Sequence, residues 1–263
     1  HSPLPPARSG IADYTAELVE HLRAHYDIDL VYDQPEVTLP PALRDLPVRS
    51  VAWFRKHAQE FDRVVYHFGN SMFHAQMFTL LREHPGVVVL HDFFLSGMLN
   101  WMDAVGVEPG AFEEALFASH GRAAVDEART AGREEAARKY PANREVLQRA
   151  TGLIVHSAHS AALAARWYGP AAAAGLRQIP LLRRAPATVD RDKARAALGV
   201  APDAFVVCTF GHVAETKLNV RAIRAWAASP LAQDANCRFV TVGGDRPPYG
   251  DEVRRALAGT GRA

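Results

Sequence analysis

Cysteine is scarce in this sequence: only two occur among 263 residues. One of them, Cys208, lies inside the apolar run Phe205–Phe210. A chain of this length with so few thiols is typical of a reducing compartment and does not fit a disulfide scaffold. The small disulfide-rich secreted class is therefore excluded.

Long apolar runs and a strong net charge are also missing. No run approaches the ~20 apolar residues that a membrane-spanning helix needs, and no signal-peptide pattern opens the chain. The formal net charge of +1 gives no global signature of nucleic-acid binding. Hydrophobic residues make up 48% and charged residues 22%, as in ordinary globular proteins. We expect a cytoplasmic globular protein without a nucleic-acid partner.

Several motifs of catalytic and cofactor sites are absent. The sequence has no Walker lysine loop, no G-x-S-x-G elbow and no G-x-G-x-x-G dinucleotide fingerprint. His156 and His159 have a spacing that a metal can use, but zinc needs three or four ligands and no third is evident. No carboxylate cluster suits Mg²⁺ either. We expect no metal and no cofactor.

Short apolar runs alternate with helix-like segments along most of the chain. Runs of this length and composition fit strands buried on both faces of a parallel sheet. Between them lie helical stripes, such as Val220, Ile223 and Trp226. The pattern predicts a doubly wound α/β architecture. The predicted strands are Ile28–Tyr32, Arg63–His67, Val87–His91, Gly152–His156, Leu176–Leu181, Phe205–Phe210 and Phe239–Val242.

Two stretches interrupt this alternation. Residues 97–150 hold no strand candidate and are rich in Ala, Glu and Arg, which predicts two or three helices inserted after the third strand. Residues 183–203 are rich in Pro, Arg and Asp, and Asp190 is placed to cap a short helix through Leu198. We place the domain boundary there, between residues 1–184 and 185–263.

The two ends of the sequence look incomplete for such a fold. The chain opens on a loop-like segment, His1–Pro6, where a βα protein would have an apolar strand just upstream. The second domain has only two clear strands, whereas a Rossmann-like domain carries about five or six. We expect the first strand and most of the C-terminal domain to be missing.

Polar side chains follow several predicted strands, at the sheet edge where ligands of open parallel sheets bind. Gly10 precedes a helix N-terminus, which suits close approach of a phosphate, although an ordinary βα turn is the alternative. A structural, hydrogen-bonded role is the alternative for each histidine. The polar segments are Phe68–Ser71 with His74, His91 with Asp92, His156 with Ser157, and Gly211–Lys217.

A basic run lies in and after the inserted segment. A solvated helix face is the favoured interpretation, because three glutamates are interspersed with it. The alternative is peripheral docking to the anionic cytoplasmic face of a membrane, where a lipid-linked acceptor would lie. The basic residues are Arg129, Arg133, Arg138, Lys139, Arg144 and Arg149.

Taken together, these segments resemble the family-4 glycosyltransferases of the GT-B fold, which has two Rossmann-like domains. The likeness is greatest to bacterial members that build surface polysaccharides, and it covers nearly the whole chain. The segments that carry it are Ser2–Pro6, Ser9–Tyr14, His67–Ser71, Val89–Phe94, Ile154–Ser157 and Phe210–Asn219.

The resemblance implies transfer of a sugar from a nucleotide-diphosphate sugar to a glycan or lipid-linked acceptor, with retention at the anomeric carbon. The 1–184 domain would hold the acceptor and the 185–263 domain the donor. The implied catalytic residues are His91 and Asp92, and the implied acceptor contacts are Asn70 and His67. The implied donor contacts are Gly10, Lys217 and His212 at the diphosphate, with Gly211 and Gly243 at the nucleotide sugar.

Two departures from the family pattern matter. The family often has an arginine where His212 stands, and the glutamate pair that holds the donor would lie beyond Ala263. A sugar-nucleotide epimerase of the same fold stays open, although Asp92 is the only strong acid–base carboxylate. So does a non-catalytic nucleotide- or sugar-binding subunit. For the transferase we expect His91, Gly10 and Lys217 to line one cleft, with Asn70 on its rim.

Overall fold

The computed structural model describes residues 1–186 and 188–261. The chain divides into two compact units, His1–Arg184 and Ala185–Ala263. Each unit packs helices against parallel strands, and every strand pair among the described residues is parallel. The predicted α/β class with parallel sheets is confirmed.

The first unit contains a four-stranded sheet and a two-stranded one. The order in the larger sheet is β3-β4-β5-β6, and β1 pairs with β2. The first two residues lie between the sheets: Ser2 N donates to Val31 O at 3.3 Å, and His67 N donates to His1 O at 3.0 Å. Hydrogen bonds therefore connect both sheets through the chain start. The strands are β1 (Leu30–Tyr32), β2 (Val48–Ser50), β3 (Val65–Phe68), β4 (Val87–Leu90), β5 (Gly152–Val155) and β6 (Leu176–Gln178).

The strand predictions need four corrections: one strand was missed, and three end too late. The short strand β2 was not predicted, because Val-Arg-Ser is too short and too polar to stand out as an apolar run. His91 and His156 lie just after their strands, since β4 ends at Leu90 and β5 at Val155. The strand predicted for Leu176–Leu181 also ends early, at Gln178. Three predicted strands thus run past their observed ends.

Ten helices pack on these strands among the described residues of the first unit. Most of their stability comes from burying apolar side chains, about 1.5–3 kcal/mol for each large one. Tyr66, Phe68 and Phe112 are fully buried at the centre of the main core. The helices are α1 (Gly10–Leu22), α2 (Val51–His57), α3 (Ala75–Glu83), α4 (Ser96–Ala104), α5 (Ala111–His120), α6 (Arg122–Thr130), α7 (Arg133–Lys139), α8 (Arg144–Arg149), α9 (Ala158–Tyr168) and α10 (Pro170–Ala174).

The inserted segment is more broken than predicted. Residues 96–150, all of them described, form the five helices α4–α8, where we expected two or three. Three glycines with positive φ separate α4 to α7: Gly110 at 84°, Gly121 at 77° and Gly132 at 104°. Glycine adopts this backbone without the penalty of a Cβ, so each one ends or starts a helix.

Buried and partly buried polar contacts fix the insertion to the sheet. The Asn143 side chain donates to Phe93 O and accepts from Tyr168 Oη at 2.7 Å. Arg82 of α3 donates to Glu145 of α8 at 2.8 Å and to Glu108 at 2.7 Å. Asn143 is fully buried, so the loss of its partners would leave an unsatisfied polar group, whereas the Arg82 ion pairs are partly exposed. Together these contacts fix the insertion's position on the sheet.

The second unit has its own small core. Asp190 caps α11, its side chain accepting from Lys193 N at 3.0 Å, as predicted. The predicted stripe of Val220, Ile223 and Trp226 is buried. Within the described ranges of both units, no helix is long and apolar enough to cross a bilayer. The elements are α11 (Arg191–Ala197), β7 (Phe205–Phe210), α12 (Asn219–Ala227), β8 (Cys237–Val242) and α13 (Tyr249–Ala258).

Candidate active site

Strands β3, β4 and β5 end together at the carboxyl edge of the larger sheet. Their register aligns Phe68 with Leu90 and Leu90 with Val155. Successive side chains of a strand point to opposite faces, so His91 and His156, each one residue further on, share a face. His67, one residue before Phe68, lies on that same face. The sheet therefore brings three histidines side by side.

These three histidines form a hydrogen-bonded row, which we call the histidine row. His67 Nδ1 lies 3.1 Å from His91 Nε2, and His91 Nδ1 lies 3.1 Å from His156 Nε2. The row ends at a backbone carbonyl, since His156 Nδ1 lies 2.9 Å from Ile179 O. Both ring nitrogens of His91 are thus occupied by its neighbours. His91 can present its ring face and carbon edge, but not a free ring nitrogen, while the row is intact.

Tyr14 of α1 covers the row. Its ring centroid lies 5.7 Å from that of His67, 4.8 Å from His91 and 5.4 Å from His156. Tyr14 is buried, and burial raises the pKa of its hydroxyl. A buried aromatic ring in contact with all three imidazoles restricts their rotation and shields His67 and His91 from water, whereas His156 stays partly exposed.

Burial keeps the inner histidines uncharged near neutral pH. Desolvation lowers the pKa of His91 to about 3, with smaller contributions from His156 and His74. Burial also holds the pKa of His67 well below its ordinary value. A neutral imidazole has one donor and one acceptor nitrogen, which is the requirement for a continuous row.

The loops after β3 and β4 are linked to each other and to the insertion. Asn70 N donates to Asp92 Oδ2 at 2.8 Å, and Asn70 Oδ1 accepts from Met98 N at 2.7 Å. Met98 lies in the first turn of α4, so Asn70 satisfies one of the free N–H groups at that helix end. Asp92 thereby holds the loop that carries Asn70, and both residues lie at the edge where the row ends.

Gly69 is required for the close packing at this edge. A Cβ on Gly69 would lie 2.5 Å from Ile11 Cδ1 and 2.8 Å from His74 Nε2. His74 is fully buried, and burial lowers its pKa to about 4. The absence of a side chain at Gly69 therefore lets the start of α1 approach the end of β3.

Gly10 is the first residue of α1, one turn before Tyr14. The Ser9 side chain caps the helix by accepting from Ile11 N at 3.2 Å. Gly10 is exposed, and no atom lies within 4 Å of where its Cβ would be. The packing of the described residues gives no reason for glycine here. The open space at a helix N-terminus is compatible with an approaching anion.

In the second unit, the loops after β7 and β8 come into close contact at Gly211 and Gly243. We call this contact the glycine crossing. A Cβ on Gly243 would lie 1.9 Å from Gly211 O, so only glycine fits at residue 243. The Lys217 side chain lies alongside, its Cε 3.8 Å from the Cβ position of Gly211. His212 is exposed at the same crossing, with Nδ1 3.8 Å from the Cβ position of Gly244. Four of the predicted donor residues thus lie together.

The structure groups the predicted site residues by unit. The first unit brings Gly10, His67, Asn70, His91 and Asp92 to one sheet edge, and the second brings Gly211, His212, Lys217 and Gly243 to another. His67 is only 5% exposed, so its ring offers an acceptor little surface. Tyr14 and His156 were not among the predicted site residues, although His156 was one of the polar residues expected at the strand ends. The signal for His156 was its place after β5, level with His91.

The basic run of the inserted segment is largely neutralised. Five of its six side chains form ion pairs with carboxylates, and exposed pairs of this kind balance charge while adding little stability. The remaining one, Arg144, donates to Ala118 O. The pairs are Arg129–Glu113, Arg133–Asp103, Arg138–Glu135, Lys139–Glu127 and Arg149–Glu145.

No metal site accompanies these clusters. Among the residues that the structure describes, no group of three or more His, Cys, Asp and Glu side chains is arranged to hold a metal ion. The row's nitrogens face one another rather than a common centre, which explains why three neighbouring histidines do not make such a group.

A family model for the glycosyl transferase 4-like domain matches residues 9–181. The chain belongs to this glycosyltransferase family. The match spans α1, the sheet with the histidine row and the insertion, so the carboxyl-edge cluster lies inside the family's domain. A glycosyltransferase acts on a sugar donor and an acceptor, and the two polar clusters are the sites to consider for them. No curated protein matches the chain.

Proposed function

We propose that this glycosyltransferase moves a sugar from a nucleotide-diphosphate sugar to a glycan or lipid-linked acceptor, with retention at the anomeric carbon. The observation that carries the proposal is the glycine crossing of Gly211 and Gly243 with Lys217 beside it. Backbone without side chains lets a ligand come close, and a lysine supplies the charge that a diphosphate needs.

The chemistry depends on the leaving group. A nucleoside diphosphate leaves readily once its developing negative charge is stabilised, and a fixed cation supplies that stabilisation in the transition state. Lys217 is exposed in the loop after β7 and takes this role in the proposal, with His212 as a weaker partner where an arginine is frequent. Retention follows when the acceptor hydroxyl attacks from the face that the diphosphate leaves: the new C–O bond replaces the bond to the diphosphate, and the departing diphosphate oxygen takes the hydroxyl proton. No metal is needed.

The first unit supplies the acceptor side in this proposal. His91 and Asp92 face the reacting sugar, Asn70 contacts the acceptor, and the N-terminus of α1 at Gly10 adds a partial positive charge toward the diphosphate. The exposure of Gly10, Asn70 and Asp92 supports this. Membrane contact would follow from a lipid-linked acceptor, but the paired charges of the basic run give it little support.

Nucleotide binding is the direct test. We expect calorimetry on the natural protein to show that a nucleoside diphosphate and its sugars bind, whereas the monophosphate and the free sugar bind at least tenfold more weakly. Lys217→Ala should remove that preference. Lys193→Ala, an exposed lysine on α11 of the same unit, is the matched control and should keep it. Equal binding of mono- and diphosphates by the unaltered protein would contradict the proposed donor site.

A further inference from the structure

The histidine row has a direction that a single carbonyl determines. Ile179 O can only accept, so His156 Nδ1 must carry a proton and donate it. In the neutral ring, His156 Nε2 is then an acceptor, and it takes the proton of His91 Nδ1. Because His91 then carries its proton on Nδ1, its Nε2 is an acceptor. His67 Nδ1 therefore donates to His91 Nε2. One backbone oxygen thus fixes the position of three ring protons.

No other arrangement of neutral rings satisfies the row. A proton on His91 Nε2 would leave His91 Nδ1 and His156 Nε2 as two facing lone pairs. It would also face the proton of His67 Nδ1, unless His67 moved that proton to its own Nε2. Facing donors and facing lone pairs both lose a hydrogen bond in a site that Tyr14 covers, and an unsatisfied buried polar group costs about 1–3 kcal/mol. The tautomers of the three rings are therefore coupled.

We propose that His156 and His67 are positioning residues that fix the tautomer and the ring orientation of His91 through this row. Their effect on catalysis rests on the proposed function, because it requires that His91 faces the reacting sugar. The tautomers themselves do not depend on it. His156 is the informative member: it lies at the exposed end, holds the carbonyl, and its hydrogen bonds in the row are to Ile179 and His91, not to His67.

Ring nitrogen chemical shifts provide the test, because protonated and unprotonated imidazole nitrogens are well separated in ¹⁵N spectra. In the natural protein at pH 7.5 we expect the Nδ1–H tautomer at His67, His91 and His156. His156→Ala should abolish that signature at His91 and also at His67, two rings away. His156→Gln, whose side-chain oxygen can accept in place of Nε2, should restore it. His159→Ala, an exposed histidine on α9, should leave it unchanged.

Either of two results would overturn the coupling: an Nε2–H tautomer at His91 in the unaltered protein, or unchanged spectra of His91 and His67 in His156→Ala. The tautomer of His91 in the unaltered protein can be measured without a variant. The proposal can therefore be contradicted even if His156→Ala does not fold. A thermal melt shows whether that variant is folded.

The proposed effect of His156 on catalysis is measured separately, by steady-state kinetics. We expect His156→Ala to lower kcat roughly 10–100-fold, since a misplaced group costs up to about 10²-fold. KM for the donor should change less than about threefold, and His156→Gln should recover most of the loss. An unchanged kcat with altered tautomers would overturn the positioning role. Absence of sugar transfer by the unaltered protein would instead count against the proposed function, and the tautomer result would stand.

Discussion

The two polar clusters of this glycosyltransferase are held in place in different ways. At the carboxyl edge of β3–β5, the side chains hold one another: three histidines share hydrogen bonds under a buried tyrosine. At the end of β7 and β8, the backbone is fixed by the contact of Gly211 with Gly243, and Lys217 is exposed. In the first cluster, hydrogen bonds and packing fix the geometry of the side chains. In the second, a charged side chain is left exposed, and the proposed function places the donor diphosphate there.

This difference predicts unequal sensitivity to substitution. An exposed lysine that stabilises developing charge has a large effect on rate and almost none on folding. Coupled, buried histidines affect both, because their protonation and packing are part of the folded state.

Removing the exposed charge is expected to have the largest effect. Lys217→Ala in the natural enzyme should lower turnover about 10²–10³-fold, as the loss of one transition-state donor does elsewhere. Its melting temperature should stay within about 2 °C of the unaltered protein, because the side chain is exposed. Steady-state kinetics and thermal melts measure both. A fall in turnover of less than threefold would return Lys217 to an ordinary surface role.

The glycine crossing comes next. Gly243→Ala should destabilise the loop by roughly 2–3 kcal/mol, because its Cβ would lie 1.9 Å from Gly211 O. Gly244→Ala is the matched control: its nearest neighbour, His212 Nδ1, is 3.8 Å away. Chemical denaturation of the two variants gives the comparison. Equal stability of both would show that the two loops separate readily.

The buried histidines make stability depend on pH. Folding lowers the pKa of His91 to about 3 and of His74 to about 4, below the unfolded value of about 6.5. The unfolded chain therefore binds more protons between these values, so their contribution is complete above pH 6.5 and is lost as the pH falls toward 3. Between pH 7 and pH 5 we expect a loss of about 1–2 kcal/mol for each such histidine.

Denaturant unfolding at several pH values measures this loss. His74→Asn removes one titrating ring and should flatten the profile over the same range, whereas His159→Ala, an exposed histidine, should not. A stability that is constant from pH 7 to pH 5 would mean that the histidines are not held neutral in the folded protein.

The smallest expected effect is at Gly10. Because no atom lies within 4 Å of its Cβ position, Gly10→Ala should change stability by less than about 0.5 kcal/mol. If a diphosphate approaches the helix there, the same methyl group should weaken donor binding severalfold. Calorimetric titration of the variant with the donor distinguishes a diphosphate contact at Gly10 from an ordinary turn. Unchanged affinity would leave Gly10 as part of an ordinary turn.

Much of the architecture could be predicted from the sequence because it depends on local patterns. The apolar runs of β4 and β5 and the stripe of α12 correspond to elements of the structure. The strand Val48–Ser50 could not be found, because its pairing with β1 is a tertiary contact with no local apolar signal. The five-helix insertion was underestimated, since the effect of Gly110, Gly121 and Gly132 depends on their positive φ.

The site could be predicted only in part. That polar residues collect at strand ends follows from the sheet alone, and His91 and Asp92 were found this way. The hydrogen bonds of the histidine row depend on register, which sets His156 level with His91 and His67 two positions back. Tyr14 lies on α1, and its contact with the rings depends on how that helix packs. Such relations are set by tertiary packing and leave no local signal in the sequence.

The most direct test of the proposed function is the anomeric configuration of the product. The natural protein would be given a nucleotide-diphosphate sugar that it binds and an acceptor on which it acts, and the new linkage would be followed by ¹H NMR from the first turnover. We predict a product with the same anomeric configuration as the donor and a stoichiometric release of nucleoside diphosphate. An inverted linkage, or cleavage of the donor without transfer to the acceptor, would contradict retaining sugar transfer by this protein.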